Sequence, residues 1–294
     1  MTNSFMTREE FREQAQRCLP SDVAEEVERL AMRDCIALVP DPEGVDGFLG
    51  GFVPVSIRES ATGWPECNHR ALTHLGTIDL ARLANLEPRK VGVELPSSGT
   101  LSFFWDSSNM VWGDGPDERR CGQVVYRAED RLQLDRERPP ISIPFLLDDT
   151  PVTARISLTF EWAVLLDEAP ELVRRHHQAL SELSDWFTAG AERRAYHGFG
   201  EVRIGGYPFM MQDTHCEHIR ANLSTEERIQ WDTSSSARDA LRLARSRDWT
   251  SLAVFPDWGD PNSCWGGGGI VYFTILHSDL AKQDFKNVVA YMED

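Results

Sequence analysis

Apolar residues recur along this chain with two different periods, and the switches between them mark out its elements. Thr7-Arg-Glu-Glu10 reads as a capping box opening a short amphipathic helix. Pro20 and Ser21-Asp22 begin a second helix that runs to about Asp34. After Cys35 the pattern changes to "IALVP", then to glycine-rich turns and short runs of strand composition at 52–57, 72–78, 100–105, 123–127 and 141–145. Residues 152–164 alternate for much of their length, as a half-buried antiparallel strand does. Asp167-Glu-Ala-Pro170 has the acidic residues and proline of a helix start, and Leu172, His176, Leu180, Leu183 and Phe187 follow on one helical face. On this face His176 reads as a packed residue and His177 as a solvated one. Ser224-Thr-Glu-Glu227 and Ser236-Ala-Arg-Asp239 begin two shorter helices, and strands return at 251–255 and 270–276. Ser278 with Asp279 caps a last short helix, and 286–291 reads as an edge strand. Many short strands with turn-like connections and no regular strand–helix alternation predict an α+β fold built on antiparallel sheet.

The order of features repeats. Gly50-Gly51-Phe52-Val53-Pro54 has a counterpart in Gly205-Gly206-Tyr207-Pro208, and each is followed by an apolar run reaching an aspartate, Asp79 in one case and Asp257 in the other. Each unit ends with a glycine before an aromatic strand, Gly99 to Phe104 and Gly269 to Phe273. The expectation is an internal duplication: an N-terminal helical extension over 1–35, then one domain over 36–294. That domain divides into a first half at 36–165, a helical insertion at 166–197 and a second half at 198–294.

Composition narrows the partners. The chain has 294 residues, 41% hydrophobic and 10% aromatic, with nine Trp and fourteen Phe, so it can bury a large core and does not have the make-up of a disordered chain. Lys and Arg number 30 against 47 Asp and Glu, a formal charge of −17, which disfavours nucleic acid and anionic membrane and draws in basic partners. No apolar run approaches the ~18 residues that cross a bilayer. The first eighteen residues are charged and helical in pattern, without an apolar core, and read as no secretory signal. The six cysteines, at 18, 35, 67, 121, 216 and 264, are too sparse for a secreted framework, so reduced thiols and a cytoplasmic location are expected.

Candidate chemistry is sparse. The run Gly266-Gly-Gly-Gly269 in "SCWGGGGIVYF" leads into a strand and no Gly-Lys-Ser or Gly-Lys-Thr follows, so it reads as a turn, not a phosphate loop. No Gly-x-Ser-x-Gly elbow occurs. Two Cys-x-His units, Cys67/His69 and Cys216/His218, sit in matching parts of the two halves. On extended backbone each pair would project from one face, and the two pairs together would make a four-ligand zinc site, with His74 and His215 as substitutes. The other reading makes them turn cysteines beside surface histidines, and no other cofactor is implied. Asp79 and Asp257 form a candidate carboxylate pair, although Asp79 also suits a helix N-cap before Leu80-Ala-Arg-Leu. Trp105, Trp112, Trp258 and Trp265 all adjoin turns bounding aromatic strands, and would line a binding groove if the halves face each other.

Several short motifs carry a family resemblance. "LGGFVP", Trp64-Pro65, "LTHLGTIDLARL", "LPSSGTLSFFWD", "IGGYPFMMQDTH" and "GGGGIVYFTILHSDLAKQDF" together resemble the YwqG-like family, a bacterial group of unknown function, over 48–294. Thr77 stands where that family has Gln, and the final turn has glycines where the family carries an acid. The resemblance implies an α+β fold and no known activity. Gly-Gly-x-Pro, Trp-Pro and a cysteine turn also resemble programmed-cell-death-2-type chaperones of a ribosomal protein, which implies shielding of a basic client. The reading at this stage is a non-enzymatic protein-binding module with an acidic surface, chaperone-like or immunity-like. The alternative is an enzyme or ligand-binding domain using Asp79 and Asp257, with zinc at the Cys/His units.

Overall fold

The computed structural model describes residues 7–54, 57, 63–86, 93–107, 121–128, 136–137, 148–194, 201–207, 223–257 and 269–293. Trp112, Trp258, Trp265, Cys216, His218, His215, the strand expected at 141–145 and Gly266 to Gly268 lie outside these residues.

Helix α1 (Arg8–Cys18) begins at the expected box: the Glu10 amide donates to Thr7 Oγ1 at 3.2 Å and the Thr7 amide to Glu10 Oε2 at 2.8 Å. Helix α2 (Ser21–Ala31) leads straight into β1 (Met32–Pro40). Then come β2 (Gly47–Leu49), β3 (Val53–Pro54), β4 (Glu66–Cys67), β5 (Arg70–Ala71) and β6 (Thr73–Asp79). A short α3 (Leu80–Ala84) precedes β7 (Thr100–Trp105), β8 (Gly122–Arg127), β9 (Arg136–Glu137) and β10 (Thr150–Phe160). Two helices follow, α4 (Trp162–Glu168) and α5 (Pro170–Arg194), the latter kinked at His176. The chain continues through β11 (Val202–Ile204), α6 (Thr225–Thr233), α7 (Ser235–Ser246) and β12 (Trp249–Pro256). It closes with β13 (Ile270–Leu276), α8 (His277–Leu280), a 3-10 turn at Phe285–Asn287 and β14 (Val289–Glu293).

Among the described residues ten strands form one antiparallel sheet in the order β14-β13-β12-β11-β1-β10-β2-β6-β7-β8. The order is symmetric about the central pair, in which Met32 faces Phe160 and Pro40 faces Val152. β10 therefore answers to β1, and β2, β6, β7 and β8 answer to β11, β12, β13 and β14. Each half's first strand pairs with the other half's second: β1 with β11 and β10 with β2. The correspondence holds residue by residue. Gly50 donates to the Leu75 carbonyl at 2.8 Å and Gly205 to the Leu252 carbonyl at 3.1 Å. Those two leucines are the extra residues where the registers of β6–β7 and β12–β13 slip. All four glycines of the two Gly-Gly pairs have positive φ, and a Cβ on Gly206 would lie 2.8 Å from Cys35 Cβ and from Thr159 Oγ1.

The curl of the sheet brings its two ends together. A Cβ on Gly122 of β8 would lie 2.1 Å from the Cβ of Ala290 in β14, and the Tyr126 and Phe285 rings are 5.4 Å apart. β14 is the edge strand expected at 286–291, shifted to 289–293, last in the hydrogen-bonding order yet buried throughout. The interior holds Phe103 of the first half against Phe255 and Phe273 of the second, with ring centroids 5.1 to 5.7 Å apart. Trp105 is fully buried there, with Nε1 unpartnered among the described residues, so it lines no groove: β7 is buried on both faces and the ring packs in the core.

The long central strands serve two cores. Val152 and Ala154 belong to the interior of the curled sheet, while Leu158 and Phe160, further along the same face of β10, pack with Phe11, Val27, Leu180 and Phe187 of the helices. β10 ends at Phe160, short of the expected 164, because the Glu161 side chain accepts the Ala163 amide at 3.1 Å and caps α4.

Candidate functional site

Where α2, α4 and α7 meet the ends of β1, the Gly206–Tyr207 turn and the start of β12, the layers diverge and leave an open cleft of about 820 Å³. This is within the range of ligand sites, roughly 300–1,000 Å³. Ion pairs brace its walls. Arg242 forks onto Asp167 at 3.0 and 3.3 Å, Arg247 pairs with Glu168, and Arg8 bridges Glu28 and Asp34 at 3.3 and 2.9 Å. Tyr207 donates its hydroxyl to the Leu30 carbonyl at 2.8 Å and its amide to Thr159 Oγ1 at 2.8 Å. The Arg33 guanidinium lies 4.2 Å from the centroid of that tyrosine ring, and Arg33 makes no ion pair among the described residues.

Two polar groups in the cleft are under-satisfied. The Ser251 hydroxyl is buried, at 5% exposure for the residue, and has no hydrogen-bond partner among the described residues. Glu161 uses Oε1 for the Ala163 amide, and Oε2 accepts no hydrogen bond among the described residues. Burial pushes the Glu161 carboxyl from 4.5 up to about 7, against the opposing pull of the Ala163 hydrogen bond and of Arg203. The folded-state value lies above the unfolded one, so stability is highest below pH 4.5 as far as this group goes and is lost as pH rises through 7. Glu161→Gln keeps the capping oxygen and cannot ionise. It is expected to raise stability at pH 8 by roughly 1–3 kcal/mol and to change little at pH 4.5. Urea denaturation of both proteins at the two pH values checks this.

The other expected site residues are placed as follows. Asp79 caps α3, its Oδ1 accepting the Arg82 amide at 3.1 Å. Asp257 is buried, and its amide donates to the Gly269 carbonyl at 2.9 Å, as the Leu80 amide does to Gly99 at 2.9 Å. Leu80 is therefore the counterpart of Asp257, and the two carboxylates stand one residue out of register. Cys67 is bonded to Cys121, which corrects the expectation of reduced thiols at these positions. Folding brings the start of β8 against the β4–β5 hairpin, so two cysteines 54 residues apart have Cα atoms 5.0 Å apart. Asn68 and His69 both have positive φ and form the two-residue turn of that hairpin. Cys67 is buried and His69 exposed, so the pair does not project from one face as extended backbone would require. Asp106 lies within 4.8 Å of both sulfurs, but its carboxylate is held by Arg70 at 2.8 Å and the bonded sulfurs offer no thiolate. Free Cys35 is buried too, and burial pushes its thiol up to about 12. His74 is buried between the Gly50 carbonyl and Thr77 Oγ1 at 2.9 and 2.8 Å, and burial lowers it to about 4, so it stays neutral.

Among known families, the profile of a domain of unknown function, DUF1963, matches residues 49–293. The chain belongs to the DUF1963 family. The match takes in both halves of the sheet and includes Glu161, Tyr207 and Ser251 of the cleft, whereas α1, α2 and β1 precede it. A comparison with curated proteins finds no match.

The cleft is almost invisible in the sequence. The one local signal was the end of alternation at Glu161, where Trp162, Leu165 and Leu166 take up helical spacing. No helix among the described residues is long and apolar enough to cross a membrane.

Proposed function

We propose that this DUF1963 member is YwqG-like and serves as a non-enzymatic binding module of the cytoplasm. It takes a basic protein partner against its acidic surface, with the helix–sheet cleft as the place of specific contact. The observation that carries the reading is the cleft itself. Its walls are fixed by ion pairs that use up their own charges, while Glu161 and Ser251 keep unused hydrogen-bonding capacity inside it. A preorganised polar cavity of this kind suits recognition, because little ordering is left to be done on binding. The excess of 17 acidic charges supports a basic partner by drawing it in at long range.

Retention of partners from an extract by the immobilised protein, followed by reconstitution of the purified pair, tests the reading. A basic protein whose association weakens about tenfold or more between 50 and 300 mM salt is the expected outcome. Failure to retain any protein at low salt, or a partner indifferent to salt, would contradict it.

A further inference from the structure

Once the ion pairs of the cleft are set aside, two charged groups are left over in its lining. Asp167 and Glu168 are engaged by Arg242 and Arg247, Glu28 by Arg8 and Arg12, and Arg29 by Glu26. Among the described residues Glu161 has no cation within bonding reach and Arg33 forms no ion pair, while His277 lines the same space. A part-buried carboxylate with no directly bonded cation, only the longer-range pull of Arg203, is costly as an anion, and a cation supplied from outside would relieve that cost. Ser251, which also lines the cleft, is a second unsatisfied group, since its hydroxyl is buried with no hydrogen-bond partner among the described residues.

The strand order fixes how these groups are laid out. Glu161 follows β10, Arg33 starts β1, Tyr207 follows β11 and Ser251 starts β12, and these are four consecutive strands of the sheet. At roughly 4.8 Å per strand the row spans about 14 Å, the length of four or so extended residues. A polypeptide supplies what such a row lacks: carbonyl oxygens for Arg33, main-chain amides and carbonyls for Ser251, and a basic side chain for Glu161.

We infer that the cleft receives an extended segment of the basic protein partner, with an arginine or lysine side chain of that segment paired to Glu161. The inference rests on the reading of the protein as a binding module and names what the cleft of that module takes. Ionisation of Glu161 near pH 7 adds a pH signature: the pair strengthens as pH rises from 6 to 8. The charged and titratable groups around Glu161 are Arg203, which pulls on it directly, and, in the lining of the cleft, Arg8, Glu28, Arg29, Arg33, Asp167, Glu168, Arg242, Arg247 and His277.

Calorimetric titration of the whole protein at low salt with two capped peptides, acetyl-Gly-Ser-Arg-Ser-Gly-amide and the same peptide with Gln for Arg, tests this. At pH 8 the Arg peptide is expected to bind about tenfold more tightly than the Gln peptide, with the advantage shrinking toward pH 6. Glu161→Gln should abolish both the advantage and its pH dependence, and His277→Gln should leave both in place. Ser251→Ala should weaken both peptides alike. Equal binding of the Arg peptide by wild type and Glu161→Gln would overturn the assignment while leaving the binding-module reading intact. Equal affinity for the two peptides, or no binding of either, would also overturn it. The binding-module reading itself fails only if no salt-sensitive protein partner is retained.

Discussion

Phe103→Ala is expected to lower the stability of the whole chain by about 3–5 kcal/mol and to do so as a single cooperative loss. Phe103 is fully buried on β7 of the first half, and its ring touches Phe255 and Phe273 of the second at 5.1 and 5.3 Å. Its removal leaves a cavity at the point where the two halves share their interior. The backbone there is pinned on both sides, since Phe103 pairs with Gly76 in β6 and Val124 in β8, so the cavity cannot readily collapse. Urea unfolding followed by far-ultraviolet circular dichroism and by tryptophan fluorescence should give coincident transitions, both shifted. A loss below 1 kcal/mol, or a first transition confined to one probe, would mean that the halves do not depend on this aromatic contact.

Breaking the Cys67–Cys121 bond is expected to have the second-largest effect, about 4 kcal/mol for a closed loop of this length. The bond ties a two-residue hairpin turn to the start of β8, the strand whose Gly122 packs against Ala290 at the seam where the sheet closes. Its loss should free the hairpin and loosen the seam together. Denaturation of the oxidised protein, the reduced protein and Cys121→Ser should rank the first well above the other two. Equal midpoints would show that packing of β8 against β14 holds the seam unaided. Because structural disulfides persist in oxidising compartments and are rare in a reducing cytosol, the state of this bond in protein alkylated at cell lysis also tests the proposed location. A fully formed bond in freshly trapped protein would contradict the cytoplasm.

The elements were legible where local chemistry decides them. Capping boxes at Thr7 and Ser224 mark helix starts through hydrogen bonds within four residues of sequence, and both helices begin there. The runs at 100–105 and 270–276 are strands with those bounds, because β-branched and aromatic residues follow directly on a glycine, Gly99 in one case and Gly269 in the other. The echo of the two Gly-Gly pairs was also readable, and the four positive φ angles explain why glycine stands at each. What could not be read is what depends on pairing at a distance. The alignment of Asp79 with Asp257 failed by one residue because the bulges at Leu75 and Leu252, not the aspartates, fix the register. Cys67 looked like half of a Cys-x-His unit, but its partner lies 54 residues away across a seam that only the closed sheet creates. Trp105 looked like a groove residue because it borders a turn, yet β7 is buried on both faces and the Trp105 ring packs in the core. Beyond the end of alternation at Glu161 the cleft has no sequence signature, since Glu161, Arg33, Tyr207 and Ser251 lie on or just after four strands that are neighbours only in the folded sheet.

The central claim is that binding happens in this cleft. Amide hydrogen exchange of the protein alone and in complex with its reconstituted basic partner tests it most directly. The account predicts new protection in three separate stretches, 161–168, 205–207 and 249–251, together with Arg33, since these surround the cleft. Protection confined to other surfaces, with those stretches unchanged in a complex that demonstrably forms, would contradict it.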